Sequence, residues 1–260
     1  MTPRFQAIPL PAVFLRTPIA HRALHDRARG RIENSASAVR AARAAGYGIE
    51  IDLQLSSDGV AMVFHDGDLD RLTDEQGPLN ARTAVDLGSI RLRNSTDSIP
   101  TFAQVLAQIG GAVPLFVELK DQTLTMSETD GHLESVTAQE LDAYSGPVAL
   151  MSFNPHCVGH MARLAPNVPR GLTSSAYGDD WASLPLATRD RLRDIPDYDR
   201  TLSSFISHEA TDLARPRVAE LQAQGAVILC WTIRSPQAEA EARKIAQNIT
   251  FEGYAAAFPA

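Results

Sequence analysis

The chain has 260 residues, 44% of them hydrophobic and 21% charged, an ordinary composition for a globular fold with a substantial buried core. Its formal net charge of −7 argues against non-specific binding to nucleic acid or an anionic membrane, but not against a small anionic substrate. The two cysteines, Cys157 and Cys230, form no CxxC pair; Cys230 sits in an apolar run as a buried thiol would, so neither a zinc cluster nor a disulfide is expected, and the usage suits a reducing compartment.

No basic segment followed by a long apolar core opens the chain. Residues 8–15 carry two prolines and end at Arg16. A signal peptide and stable membrane insertion are therefore not expected, and the cytoplasm is the expected location. Residues 18–22 form the first strand candidate. Asn34 or Ser35 caps a helix running to about Ala45, whose Ala38, Ala41, Ala42 and Ala45 make a close-packing face, with Gly46 and Gly48 as stop signals. Strands at 48–55 and 60–64 are joined by Ser57-Asp58-Gly59, a turn whose glycine accepts positive φ.

Residues 65–99 read as loop with one short helix, and Pro100 opens a helix to about Ile109. Further strands are expected at 113–119, 147–152, 169–173, 203–208, 226–232 and 248–252. Helices are expected at 136–144, 154–164, 210–223 and 235–246, with a short one near 186–193 in the irregular stretch 174–202. Apolar strands separated by crossover helices imply a parallel sheet. Their number and the chain length suit an α/β fold, a closed (β/α)8 TIM barrel spanning 1–260 as a single domain with a short loop insertion at about 66–99. A doubly wound open sheet is the alternative, although the first strand lacks a GxGxxG turn.

Polar residues gather at the strand ends: His21-Arg22, then Glu50 and Asp52, His65-Asp66, Glu118 and Lys120, and Trp231. Glu50 and Asp52 are two apart on one strand, so both project from one face, with Ile49, Ile51 and Leu53 on the other. Three carboxylates in a barrel interior require positive charge nearby. A hard divalent cation, Mg2+ or Ca2+, satisfies that with oxygen ligands. An internal ion-pair network with Lys120 and Arg22 satisfies it equally on spacing alone. Two histidines suit general acid–base chemistry near neutral pH, and arginine matches phosphate oxygens. The bland alternatives are a structural histidine at 65 and a loop-capping Asp66.

These residues resemble the glycerophosphodiester phosphodiesterases of the TIM-barrel type. The resemblance runs through His21-Arg22, Glu33-Asn34-Ser35, Glu50-Ile51-Asp52, Val63-Phe64-His65-Asp66, Leu69-Asp70-Arg71, Ile99-Pro100-Thr101-Phe102 and Glu118-Leu119-Lys120, and more weakly through Ser152-Phe153-Asn154-Pro155 and Trp231-Thr232. It implies His21 and His65 as the acid–base pair, Glu50, Asp52 and Glu118 as ligands of one divalent cation, and Arg22 and Lys120 as phosphate binders. It further implies that Trp231 packs against the glycerol or its leaving group, that Glu33 orients Arg22 or His21 while Asn34 fixes the turn, and that Asp66 supports the site from behind its direct contacts. The substrate so implied is a small glycerophosphodiester, cleaved to glycerol 3-phosphate and an alcohol.

The chain departs from the family pattern in three places. A charged stretch, residues 23–31, replaces a glycine-rich turn and reads as a solvated loop or a substrate contact. The stretch from His65 to Leu92 is short for an added lid, which fits an open site. The ending Phe251-Glu252-Gly253 is altered. His208, ending its strand, is read as a contact for the outer end of the substrate, or else as a surface or capping residue. Trp181 beside Asp179 and Asp180 is read as a wall for a cationic head group, or as an exposed aromatic in an acidic loop. Two rival functions remain: phospholipase D-like cleavage of lysophospholipids or sphingolipids, and a non-catalytic organophosphate-binding barrel. The sequence shows no strong interfacial helix, and leaves the oligomeric state open.

Overall fold

A computed structural model describes residues 6–259. In chain order its elements are α1 (Val13–Arg16), β1 (Ile19–Ala20), α2 (Ala36–Ala45), β2 (Gly48–Leu55), β3 (Ala61–Val63), α3 (Ala84–Ser89), α4 (Phe102–Ile109) and β4 (Leu115–Leu119). There follow α5 (His132–Leu141), β5 (Val148–Ser152), α6 (Pro155–Leu164), β6 (Arg170–Ser174), α7 (Leu186–Arg193), β7 (Phe205–Glu209), α8 (Pro216–Ala223), β8 (Val227–Ile233), α9 (Pro236–Ala242) and β9 (Asn248–Phe251). β1 pairs in parallel with both β2 and β9, and the remaining parallel pairings run β2-β4-β5-β6-β7-β8-β9. The eight strands thus close into a parallel barrel wrapped by helices, the expected (β/α)8 fold. β3 lies outside that count, antiparallel to β2 across a turn in which Gly59 adopts φ +80°.

Local chemistry sets the element ends. The Ser35 hydroxyl accepts from Ala38 N to start α2, Thr101 and Gln104 form a reciprocal capping box at α4, and Asn154 caps α6 ahead of Pro155. Several boundaries differ from those expected. β1 is only two residues long, because Arg22 and Ala23 turn away with φ +51° and +65°. α5 begins at His132 rather than 136, its first amide held by the Asp130 carboxylate. The helix expected over 210–223 is a short turn, Ala210–Asp212, followed by α8, because Pro216 can open a helix but not continue one. α9 ends at Ala242, four residues early.

The barrel interior is layered. Alternate residues point in, so each strand contributes a lower and an upper side chain. The lower layer is apolar: Phe14 from α1 plugs the bottom against Phe116, and Phe116 meets Phe205, both edge-to-face at centroid separations of 4.7 and 5.4 Å. Gly171 is required there, since any Cβ would come within 2.5 Å of the Phe205 ring. The upper layer is polar, as two residues further along the same strands stand Glu118, Thr173 and Ser207. The outward set, including Ile51, Val117, Leu150, Ile206, Ile228 and Ile249, packs under the helices as the main core. Residues 66–99 carry their own small apolar cluster, with Leu69, Leu72, Leu79 and Leu87 packed on Met62 and Phe64. Cys157 and Cys230 are buried free thiols.

Candidate active site

A cavity of about 560 Å³ opens at the C-terminal ends of the barrel strands, where this fold places its chemistry. On its floor, Glu50 and Asp52 project from β2 and Glu118 from β4, with Asp52 directly opposite Glu118 in the strand register. All three are buried, and each offers an oxygen within 4.8 Å of the others'. Lys120 Nζ stands 2.8 Å from Asp52 Oδ1 and 2.6 Å from Glu118 Oε1. Burial works against the Asp52 carboxylate, but Lys120, His65 and Arg22 outweigh it and hold its pKa far below the usual range. Glu50 goes the other way: burial first, then repulsion from Asp52 and Glu118, push its carboxyl well above the usual value.

A cation bound among the three acids would relieve that imbalance. Arg22 is shared with Glu33, so Lys120 is the principal counter-charge to three buried acids, and Glu50 remains undercompensated. An all-oxygen donor set short of positive charge fits a hard divalent cation. Asn34 holds the set from behind: its Nδ2 donates to Asp52 Oδ2 at 2.8 Å and its Oδ1 accepts from Asp52 N at 3.3 Å.

His21 and His65 both line the cavity, each with Nδ1 on a carboxylate. His21 follows β1, its amide bonded to Phe251 O, and its Nδ1 lies 2.6 Å from Glu252 Oε2. The hydrogen bond from His21 holds the Glu252 pKa far below normal, so Glu252 is an acceptor and Nδ1 must donate. Burial lowers the His21 pKa despite Glu252, and the neutral ring then carries its lone pair on Nε2. His65 follows β3, with Nδ1 at 2.7 Å from Asp66 Oδ1. Burial opposes ionisation of Asp66, but hydrogen bonds from His65 and Arg71 hold its carboxyl well below the usual range.

A second layer ties these groups together. Arg22, in a left-handed conformation, donates its amide to Glu50 Oε2 at 2.8 Å and its Nη1 to Glu33 Oε1 at 2.6 Å. Arg22 Nε is buried without a hydrogen-bond partner and lies 3.7 Å from Asp52 Oδ2. Arg71 grips Glu33 with two bonds, 2.9 and 2.7 Å, and Asp66 with two more, 2.6 and 3.0 Å. Burial raises the Glu33 pKa, but both arginines overcome it and bring the value down to about 2. Glu33 therefore links Arg22 to the mount of His65.

The structure brings together all but one of the residues read as direct contacts. Trp231 lines the cavity, with Nε1 donating to Ser207 O at 3.0 Å. His208 does not. Its neighbour Ser207 points in, so the two-residue period turns His208 outward, where Nδ1 meets Ser174 Oγ at 2.8 Å and Nε2 meets Asp212 at 3.2 Å. The substrate contact expected of His208 is thereby corrected to a buried structural role. Trp181 lines the cavity rather than standing free of it, whereas Asp179 and Asp180 do not line it. The 23–31 loop folds back through the Asp26–Arg31 bridge and stays off the cavity, with His25 Nε2 at 3.6 Å from Glu252.

Two contributors carry no role that the sequence alone discloses. Nothing local to Leu69-Asp70-Arg71 marks Arg71, whose role is defined by its partners Glu33 and Asp66. Glu252 shows in the sequence only as part of an altered ending. Its position at the C-terminal end of the last strand, where a barrel's functional side chains gather, was the available signal.

The sequence model of the glycerophosphoryl diester phosphodiesterase family matches residues 21–250. Over 231 residues the chain is 26% identical to glycerophosphodiester phosphodiesterase 1 of Bos taurus, covering 78% of this chain and 68% of that protein. In fold it is similar to an Oleispira antarctica phosphodiesterase solved with the product sn-glycerol-3-phosphate, with TM-score 0.74, 22% identity, and 92% and 93% of the two chains covered. A glycerophosphodiester phosphodiesterase from Parabacteroides distasonis aligns with TM-score 0.70 and 21% identity over 91% and 92%.

Proposed function

We propose that this chain, which belongs to the glycerophosphoryl diester phosphodiesterase family, hydrolyses small glycerophosphodiesters to glycerol 3-phosphate and an alcohol, with His21 and His65 as the acid–base pair. The observation that carries the reading is the convergence, in one cavity, of two carboxylate-mounted imidazoles with a buried three-acid cluster and two cations. In this reading Glu50, Asp52 and Glu118 hold one divalent cation, Mg2+ or Ca2+. When bound there, such an ion would supply positive charge to the phosphoryl oxygens.

The protein's own groups perform the remaining work. Arg22 Nε, buried and unpartnered, donates to a phosphate oxygen, and the Lys120 ammonium adds charge beside it. Asp52 and Glu118 keep Lys120 protonated, since their pull outweighs burial and raises its pKa. His21 Nε2 takes the proton of the attacking hydroxyl as that oxygen bonds to phosphorus. His65 Nε2 gives a proton to the alcohol oxygen as its bond to phosphorus breaks. The attacking hydroxyl is water, or the neighbouring glycerol hydroxyl by way of a cyclic phosphate that water then opens. Trp231 forms an apolar face beside the glycerol arm.

Among the described residues no helix is long and apolar enough to cross a membrane, and the substrate in this reading is a small molecule. The test is incubation with a mixture of glycerophosphodiesters, with Mg2+, Ca2+ or a chelator, scoring glycerol 3-phosphate and alcohol together. Equimolar release of both, abolished by the chelator, is expected. Bound metal without turnover of any diester would leave only the organophosphate-binding reading.

A further inference from the structure

One wall of the cavity has chemistry that phosphate cleavage leaves unused. From Trp231 outward the rings continue: Phe153 stands edge-to-face to Trp231 at 5.4 Å, and Trp181 lies 4.8 Å from Phe153. Leu124 and Met126, from the loop between β4 and α5, line the same cavity. Met126 packs with Phe153 and Trp181 over buried Tyr177, Leu184 and Leu192, while Leu124 is 78% exposed.

This loop is held in a costly shape. Leu124 and Met126 have φ of +59° and +57°, a region that residues with side chains seldom adopt unless their surroundings impose it. Asp121 imposes it. Its carboxylate accepts from Thr123 N at 3.0 Å, Thr123 Oγ1 at 2.7 Å, Met126 N at 2.8 Å and Asn154 Nδ2 at 2.9 Å. The Asp121 carboxylate is thereby committed to loop and capping donors, and the result is an aliphatic pair presented at the mouth. An exposed leucine held by a strained, pinned loop beside an aromatic row is a surface prepared for an apolar group.

We infer that the arm of the diester directed out of the barrel carries an uncharged aliphatic body, and that Leu124, Met126, Phe153 and Trp181 bind it. The inference rests on the phosphodiesterase reading above. A quaternary ammonium group would find the rings attractive, but Leu124 and Met126 give it no counter-charge, Asp121 is turned to its four loop and capping donors, and Asp179 and Asp180 stand off the cavity. A growing alkyl chain is rewarded at every one of the four side chains.

The experiment is a series of glycerophosphate alkyl diesters from methyl to hexyl, kept below micelle-forming concentration, with glycerophosphocholine as the cationic comparator. The readout is kcat/KM in Mg2+ or Ca2+. Partial burial of each methylene in an open cleft raises kcat/KM by about twofold, so hexyl should exceed methyl by about 30-fold. In Leu124→Asp and in Trp181→Ala that ratio should fall at least fivefold. Leu124 is exposed, so its variant folds, and the ratio reads specificity independently of protein yield. A flat series overturns the inference, as does glycerophosphocholine outrunning the hexyl ester. Both of those outcomes leave the phosphodiesterase reading standing. Failure of every diester with metal bound overturns that reading, and this inference with it.

Discussion

The two histidine–carboxylate pairs use the same bond in different settings. His65 and its partner Asp66 are neighbours in sequence, and the imidazole is 30% exposed. His21 is 14% exposed, and its partner Glu252 lies 231 residues away. The first pair assembles wherever β3 ends. The second exists only when β9 closes against β1, because the bond from His21 N to Phe251 O sets the register that brings Glu252 alongside. One proton carrier is thus mounted locally, while the other is mounted by closure of the barrel.

Removal of the imidazoles is the largest test. His21→Ala and His65→Ala should each lower kcat by about 10²–10⁴-fold, the range for loss of a general acid or base. The buried site should lose more, since water replaces a missing imidazole less readily there. Turnover near wild type in His21→Ala would end the acid–base assignment.

The carboxylates sharpen the contrast. Glu252→Gln puts an amide against Nδ1 and favours the wrong tautomer, so a loss of roughly 10²-fold in kcat/KM is expected. Asp66→Asn should cost about tenfold, because solvent reaches His65. The pH profile adds a sign. Burial lowers the His21 pKa while Glu252 raises it, so removing Glu252 leaves burial and Arg22 opposed by Asp52 alone. The acidic limb of kcat/KM against pH should move to lower pH in Glu252→Gln. Movement to higher pH would show that Glu252 does not hold the ring.

The same division between local and distant partners explains what the sequence disclosed. The barrel was legible because its strands and crossover helices are local periodic patterns, and Glu50, Asp52 and Glu118 were legible because inward projection follows from alternation. Asp66 adjoins His65 and was seen at once. Glu252 was not paired with His21, since no local pattern announces which strand end closes on which. Arg71 was missed for a related reason: its value lies in bridging Glu33 and Asp66, a fact of loop geometry. His208 shows the limit of reading by strand ends alone. A terminal position places a residue at the right height, but only the parity of the register decides whether it faces in or out.

Glu33 tests whether the two mounts are coupled. Its pKa falls from 4.5 to about 2 in the folded chain, so its contribution to stability is complete above the unfolded value and is lost as pH drops through the folded one. Between pH 4.5 and 2 the protein should lose roughly 2 kcal/mol on this account, after allowing for solvent around the half-exposed Arg71. In Glu33→Gln, urea unfolding should lack that part of the slope. Because Glu33 joins Arg22 to Arg71, the variant should also raise KM. A stability change without a change in KM would mean that the arginine bridge braces the loop and does not position the phosphate clamp.

The smallest effect is expected at His208, the position whose assignment the structure reversed. Its ring is fully buried between β7 and the turn after it, bonded to Ser174 and Asp212. His208→Ala strands both partners and opens a cavity, so unfolding stability should fall by about 1–3 kcal/mol. The kcat/KM for any glycerophosphodiester should stay within about twofold, since Ser207, not His208, faces the cavity. Measured on one preparation by urea melts and initial rates, a fall in activity at unchanged stability would return His208 to the site. The expected opposite places the functional boundary of β7 between two adjacent residues, and with it the boundary between the chemistry inside the barrel and the packing outside.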